Sequence, residues 1–191
     1  MQSSDNLVWL DLEMTGLEVE SCRIIEMAAI ITDKNLNVIA ESQPIAIHQP
    51  TDVIKSMNSW CIKTHGESGL TQRVIDSQIL ETEAEQMMLD FVQTYVPENT
   101  SPLCGNSIWQ DRKFLAKYMP TLESYFHYRM IDVSTVKLLA SYWKPKAAAS
   151  FNKSNTHLAL DDIRESIAEL KHYRKHFLIC DQDKNQNQEG S

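Results

Sequence analysis

No stretch of this chain stays apolar for the roughly 20 residues that a bilayer-spanning helix needs. Its first residues, Met1-Gln2-Ser3-Ser4-Asp5-Asn6, lack both the basic and the apolar part of a signal segment. Cysteine is sparse: Cys22, Cys61, Cys104 and Cys180 are scattered and form no Cys-x-x-Cys pair. They read as free thiols of a reducing compartment, which places the protein in the cytoplasm. Basic tails and patches are missing too, and the formal charge is −8. This excludes a generic polyanion binder, so any anionic substrate has to be held locally, by a small site and through metal. There is no internal repeat. What the chain does have is 191 residues, 42% hydrophobic and 23% charged, which suits one globular domain over 1–180. Asp181–Ser191 is polar and low in complexity and reads as a disordered tail.

The strongest strand signal is Leu7-Val8-Trp9-Leu10-Asp11-Leu12-Glu13-Met14, which meets no turn residue until Thr15-Gly16. A second strand is expected at Ile24–Thr32, apolar except for Glu26. A third, at Val38–Ile47, carries Pro44 and suits an edge or a bulge. Helical spacing follows at Ala84–Val96, then a short strand at 103–105 and a helix from about Gln110 to Met119, stopped by Pro120. Met130-Ile131-Asp132 reads as a short strand, Ser134–Trp143 as a helix and Lys144–Ser154 as a loop. Asn155-Thr156 is an N-cap pair for a last helix ending near His176. Strands first, then helices with short strands between them, indicate an α/β domain with a mixed sheet flanked by helices.

Side chains alternate along a strand, so Asp11 and Glu13 share a face, about 7 Å apart. Two carboxylates on one face of a core strand repel each other and are costly to desolvate, unless a cation lies between them. Two further patterns offer ligands: Gly105-Asn106-Ser107-Ile108-Trp109-Gln110-Asp111-Arg112, with Asp111 at a helix start, and His157-Leu158-Ala159-Leu160-Asp161-Asp162. Hard oxygen donors of this kind suit Mg²⁺ or Mn²⁺ rather than zinc. Two such ions can clamp the attacking and leaving oxygens of an in-line displacement at a phosphodiester. The attacking water then needs a proton acceptor, for which a histidine is suited. On an ideal helix His157 and Asp162 lie about 140° apart, so His157 belongs in the loop or first turn and Asp162 within the helix.

Five segments carry a resemblance. They are Trp-Leu-Asp-Leu-Glu-Met-Thr-Gly-Leu (9–17), Thr-His-x-x-Ser-Gly-Leu (64–70), Gly-Asn-Ser-Ile-x-Gln-Asp-Arg (105–112), His-Tyr-Arg-x-x-Asp-Val-Ser-Thr (127–135) and Asp-Asp-Ile-Arg-Glu-Ser (161–166). In this order they resemble the DEDD-type 3′–5′ exonucleases whose third motif is His-x-x-x-x-Asp, and more closely the oligoribonuclease family, from about Leu7 to Leu178. The resemblance implies a ribonuclease H-like mixed sheet. It implies two divalent ions, Mg²⁺ or Mn²⁺, on Asp11, Glu13, Asp111 and Asp162, with His157 as general base. It further implies a homodimer in which Tyr128 closes the partner's site. Leu17 would wedge against a base, Trp60 and His65 would line the pocket near the 3′ end, and Ser107, Arg129 and Ser134 would surround the 5′ end or its phosphate. The implied activity is release of 5′-mononucleotides from the 3′ end of short single-stranded RNA, down to dinucleotides.

Taken singly, most of these residues have plainer readings. Asp111 could serve only the helix dipole, Asp162 a solvated helix face, Leu17 the core, and Glu26 a salt bridge. Asp161, Arg164 and Glu165 read as helix surface. Trp109 fills a slot where the family commonly has a small residue such as glycine, beside Asp111. The rival activities are a related exonuclease on longer RNA or DNA 3′ ends, separable by length preference, and a silent nucleic-acid-binding domain, separable by turnover.

Overall fold

The structure, a computed structural model, describes residues 2–151 and 158–178. The chain begins with strands β1 (Leu7–Met14), β2 (Ile24–Thr32), β3 (Val38–Glu41) and β4 (Ile45–Ala46). Helices α1 (Thr51–Lys55), α2 (Ser59–Glu67), α3 (Leu70–Asp76) and α4 (Glu81–Tyr95) follow, then β5 (Pro102–Gly105), α5 (Ile108–Tyr118) and α6 (Pro120–Tyr125). The remainder is β6 (His127–Asp132), α7 (Val133–Trp143), α8 (Pro145–Ala149) and α9 (Ala159–His176). The sheet order is β3-β2-β1-β5-β6, with β4 beside β2. β1 runs antiparallel to β2 and parallel to β5, so the sheet is mixed, as expected.

Alternation along β1 sorts its side chains between two cores. Val8, Leu10 and Leu12 join α4 and α5 through Met88, Val92, Phe114 and Leu115. Trp9, on the opposite face, packs with Ala28 and Ile30 against α9 and α7 through Ile163, Ile167, Val133 and Ala140. Asp11 and Glu13 continue the Trp9 face. The two acids therefore emerge where α9 begins. Gly105 lets β5 approach this strand closely, because a Cβ there would stand 3.0 Å from the Leu10 carbonyl oxygen.

Several boundaries differ from expectation. The expected strand at Val38–Ile47 is broken into β3 and β4 around Pro44, which has no N–H for a ladder. Pro120 ends α5, as expected, and also opens α6 from its N-terminal turn. Pro145 does the same for α8, so Lys144–Ser154 is not all loop. The last helix starts at Ala159, after Leu158; Asn155, Thr156 and His157 lie outside the described residues, as do Cys180 and the tail. No helix among the described residues is long and apolar enough to cross a membrane.

Candidate active site

The buried stripe of α9 runs through Ala159, Ile163, Ser166 and Ile167. Asp162, in the first turn, lies on that stripe and meets the acids of β1. Asp161 is one step off it and pairs with Arg164 (2.8 Å) instead. Carboxylate oxygens of Asp11, Glu13 and Asp162 lie within 4.8 Å of one another. Asp111 reaches β1 from α5. Its Oδ1 accepts the Leu12 N–H at 3.0 Å, beyond the last β1–β5 pair, Trp9–Cys104. It thus substitutes for the ladder partner where β5 ends. It stands outside the group of three, yet it is the largest neighbouring charge acting on Asp11.

Burial and the neighbouring acids oppose the ionisation of Asp11 and Glu13. Burial, with Asp111 and Glu13 next, holds Asp11 well above its ordinary value. Burial and the nearby Asp162 push Glu13 up to about 8. Burial pushes Asp111 up to about 7, against the hydrogen bond from Leu12. Oxygen donors this close, sheltered and mutually repelling, fit a hard divalent cation. Between the unfolded carboxylate range and about pH 8 the folded chain binds more protons than the unfolded chain, so stability falls as pH rises. In chelator, the melting temperature is expected to drop by about 4–8 °C from pH 5 to pH 8, for about 2 kcal/mol lost. Saturating divalent metal should flatten that slope, and calorimetry with and without chelator reads both.

Beside Glu13 a cleft of about 430 Å³ is lined by Leu17, Trp60 and His65, together with Gly16, Asn58 and Cys61. Leu17 and Trp60 are exposed, 71% and 57%, which a core role would not allow. The Leu17 carbonyl accepts from Gln110 Nε2 at 2.7 Å, which ties the turn after β1 to α5. His65 is buried, with Nε2 3.0 Å from the Met14 carbonyl oxygen and Nδ1 4.0 Å from Glu13 Oε2, and its ring stands edge-on to Trp60.

Ser107 and Ser134 also meet. Ser107 adopts a left-handed conformation (φ 52°) at the start of α5. Its N–H donates to Asp132 Oδ1 (2.9 Å) and Ser134 Oγ (3.0 Å), and the two hydroxyls are 3.1 Å apart. Behind them Ser134 Oγ donates to Asn106 Oδ1, and Asn106 Nδ2 donates to Ser166 Oγ (2.7 Å) and Glu169 Oε2 (3.2 Å). This network joins the starts of α5 and α7 to α9. Sequence reasoning missed Asn106, Asp132, Ser166 and Glu169, although the first three fall inside the quoted motifs.

Tyr128 and Arg129 lie apart from that cleft, on the edge strand β6. Tyr128 is 71% exposed, with the Arg129 guanidinium 5.2 Å from its ring centre. Arg112 fixes this segment through the carbonyls of His127 and Tyr128, both at 3.0 Å. Trp109 is exposed, with Lys113 Nζ 4.6 Å over its ring, two steps of α5 away from Asp111.

Solved structures share this architecture. An exonuclease I superposes with a TM-score of 0.73 at 17% identity, covering 91% of this chain and 42% of that one. The exonuclease I of E. coli in complex with a 5cy-dT13 oligonucleotide gives 0.72 at 18%, covering 93% and 42%. The chain thus spans less than half the length of those proteins, and the likeness is one of fold. A ribonuclease H-like sheet with clustered acids at the end of its central strand defines a nuclease of the exonuclease class, and the RNase_T exonuclease family matches residues 8–170. An oligoribonuclease of Francisella tularensis subsp. holarctica (strain OSU18) is 66% identical over 178 residues, 93% of this chain and 99% of that protein. One of Ectopseudomonas mendocina (strain ymp) is 60% identical over the same shares. The chain belongs to the oligoribonucleases of this exonuclease family.

Proposed function

We propose that the chain removes 5′-mononucleotides from the 3′ end of short single-stranded oligoribonucleotides, down to dinucleotides, as a cytoplasmic homodimer. The observation that carries this reading is the convergence of Asp11, Glu13 and Asp162 beside a small cleft whose walls are Leu17 and Trp60. Two ions, Mg²⁺ or Mn²⁺, held by these acids and Asp111 would supply charge neutralisation and activate a water for in-line attack on the phosphodiester. The protein's own groups do the rest. Leu17 and Trp60 offer apolar and aromatic surface to a base without reading its edge, which suits indifference to sequence. His65 lines the inner end of the same cleft, near the 3′ nucleotide. Ser107, Ser134 and Arg129 supply hydroxyl and guanidinium donors for the 5′ phosphate. His157, outside the described residues, takes the proton of the attacking water. The formal charge of −8 does not favour a long polyanion, and the free thiols Cys22, Cys61 and Cys104 suit a reducing compartment.

The test is a rate series on 5′-labelled RNAs of increasing length in Mg²⁺ or Mn²⁺. Turnover should be highest on the shortest substrates and vanish in excess chelator. A rate that climbs with length would overturn the short-substrate reading. Activity that persists in chelator would overturn the metal reading.

A further inference from the structure

Glu26 on β2 is the cross-strand partner of Glu13 on β1, so the two side chains leave the same face of the sheet. Glu26 is only 1% exposed, yet it stands outside the group of three acids whose oxygens converge. Arg73 engages it: Nη2 donates to Glu26 Oε1 at 2.7 Å, and Nη1 donates to the Ser68 carbonyl oxygen at 3.1 Å. A local device places Arg73. Gly69, at φ 72°, makes the left-handed turn that starts α3, a conformation that suits glycine. Leu70 and Val74, both fully buried, pin that helix against Ile25. Arg73, one turn in, then reaches back to Ser68 and across to Glu26. The Ser-Gly-Leu part of the segment at 64–70 thereby positions Arg73. The pair also borders a groove of about 440 Å³ shared with Ala159 and Asp161, at the end of α9 that carries Asp162.

We propose that Arg73 and Glu26 are a positioning pair for the metal centre: Arg73 keeps Glu26 out of the donor set, and Glu26 keeps the Arg73 guanidinium off Glu13. This rests on the reading that Asp11, Glu13 and Asp162 hold divalent ions. Once Glu26 loses its charge, the adjacent acid on that face is Glu13, and an arginine fork on Glu13 competes with a cation. Once Arg73 loses its charge, Glu26 is a sheltered carboxylate with no counter-charge beside a cation, and it turns to the ions. The two single losses therefore act on metal binding in opposite directions. Mere anchorage of α3 to β2 would move neither.

The experiment is Mn²⁺ binding, by calorimetry and electron paramagnetic resonance, to the full chain as wild type and as Glu26→Gln, Arg73→Met, the double variant and Arg73→Lys. Glu26→Gln is expected to weaken Mn²⁺ binding about tenfold. Arg73→Met should bind at least as tightly as wild type, with an altered Mn²⁺ spectrum and a lower kcat. The double variant should return to within about threefold of wild type, and Arg73→Lys should stay close to it. The pair is overturned if Glu26→Gln binds within about twofold of wild type, or if the double variant is as weak as Glu26→Gln. Variants that only melt earlier, with Mn²⁺ affinity unmoved, also overturn it. Absence of Mn²⁺ binding by the wild type would sink the metal reading itself, and the pair with it.

Discussion

Asp11→Asn is expected to abolish turnover and, in the same protein, to raise the melting temperature of the metal-free chain. The two effects share one cause. Asp11 sits among Asp111, Glu13 and Asp162, each of which opposes its ionisation, as does its burial. Folding without metal brings these like charges together, which destabilises the folded chain. An amide of the same size removes one charge and leaves the packing of Leu10 and Leu12 on either side untouched. At pH 8 in chelator the variant should therefore be more stable by about 1–3 kcal/mol, or about 2–12 °C. Activity moves the other way. A ligand that contributes several kcal/mol of charge stabilisation in the transition state accounts for about a thousandfold or more in rate. Scanning calorimetry in chelator and a dinucleotide assay in Mn²⁺ measure both. A variant that loses stability without metal would show that the acids are not in conflict. A variant that keeps a tenth of the activity would remove Asp11 from the ligands.

That conflict was legible in the sequence only as far as β1. Asp11 and Glu13 fall two apart in an unbroken apolar run, so strand alternation alone puts them on one face. The third acid of that face could not be read off. Glu26 opposes Glu13 only because of the β1–β2 register, and the long connection at 15–23 does not fix a register as a two-residue hairpin turn would. Asp111 and Asp162 each look like ordinary first-turn acids, and only tertiary packing of α5 and α9 brings them to β1. Long periodic elements such as α4, α7 and α9 were readable. The short helices α1, α2 and α3 span 5, 9 and 7 residues and offer too few turns for a period to emerge. Pro145 misled because a helix-breaking residue is also a favoured helix opener. The link from Asn106 to Ser166 and Glu169 joins positions 60 and 63 residues apart, in side chains that look like solvated polar faces until α9 packs over them.

The second large effect concerns the face that one copy of the chain leaves uncovered. α7 buries Val133 and Ala140 against the sheet, yet Leu138 and Tyr142, one turn apart on its other side, are 52% and 69% exposed. A helix apolar on two sides calls for a second partner. Just before it, the edge strand β6 exposes Met130 and Tyr128. The Tyr128 ring lies 4.4 Å from the His127 ring and takes no part in lining the cleft of its own chain, on a backbone that Arg112 has fixed. A ring held this way suits a site on a second copy, in a two-fold arrangement where each protomer completes the other. Leu138→Asp should therefore yield monomers that still bind Mn²⁺ but lose about a hundredfold or more in kcat/KM on dinucleotides, because a charge is placed in an apolar interface. Tyr128→Ala should lose comparable activity and remain dimeric by light scattering. The decisive arm mixes two inactive proteins. In a heterodimer of Asp11→Asn with Tyr128→Ala, the first subunit should lend its tyrosine to the intact acids of the second. Statistical exchange of subunits should then restore about a quarter of wild-type activity. A mixture no more active than its parts would take Tyr128 out of the partner's site.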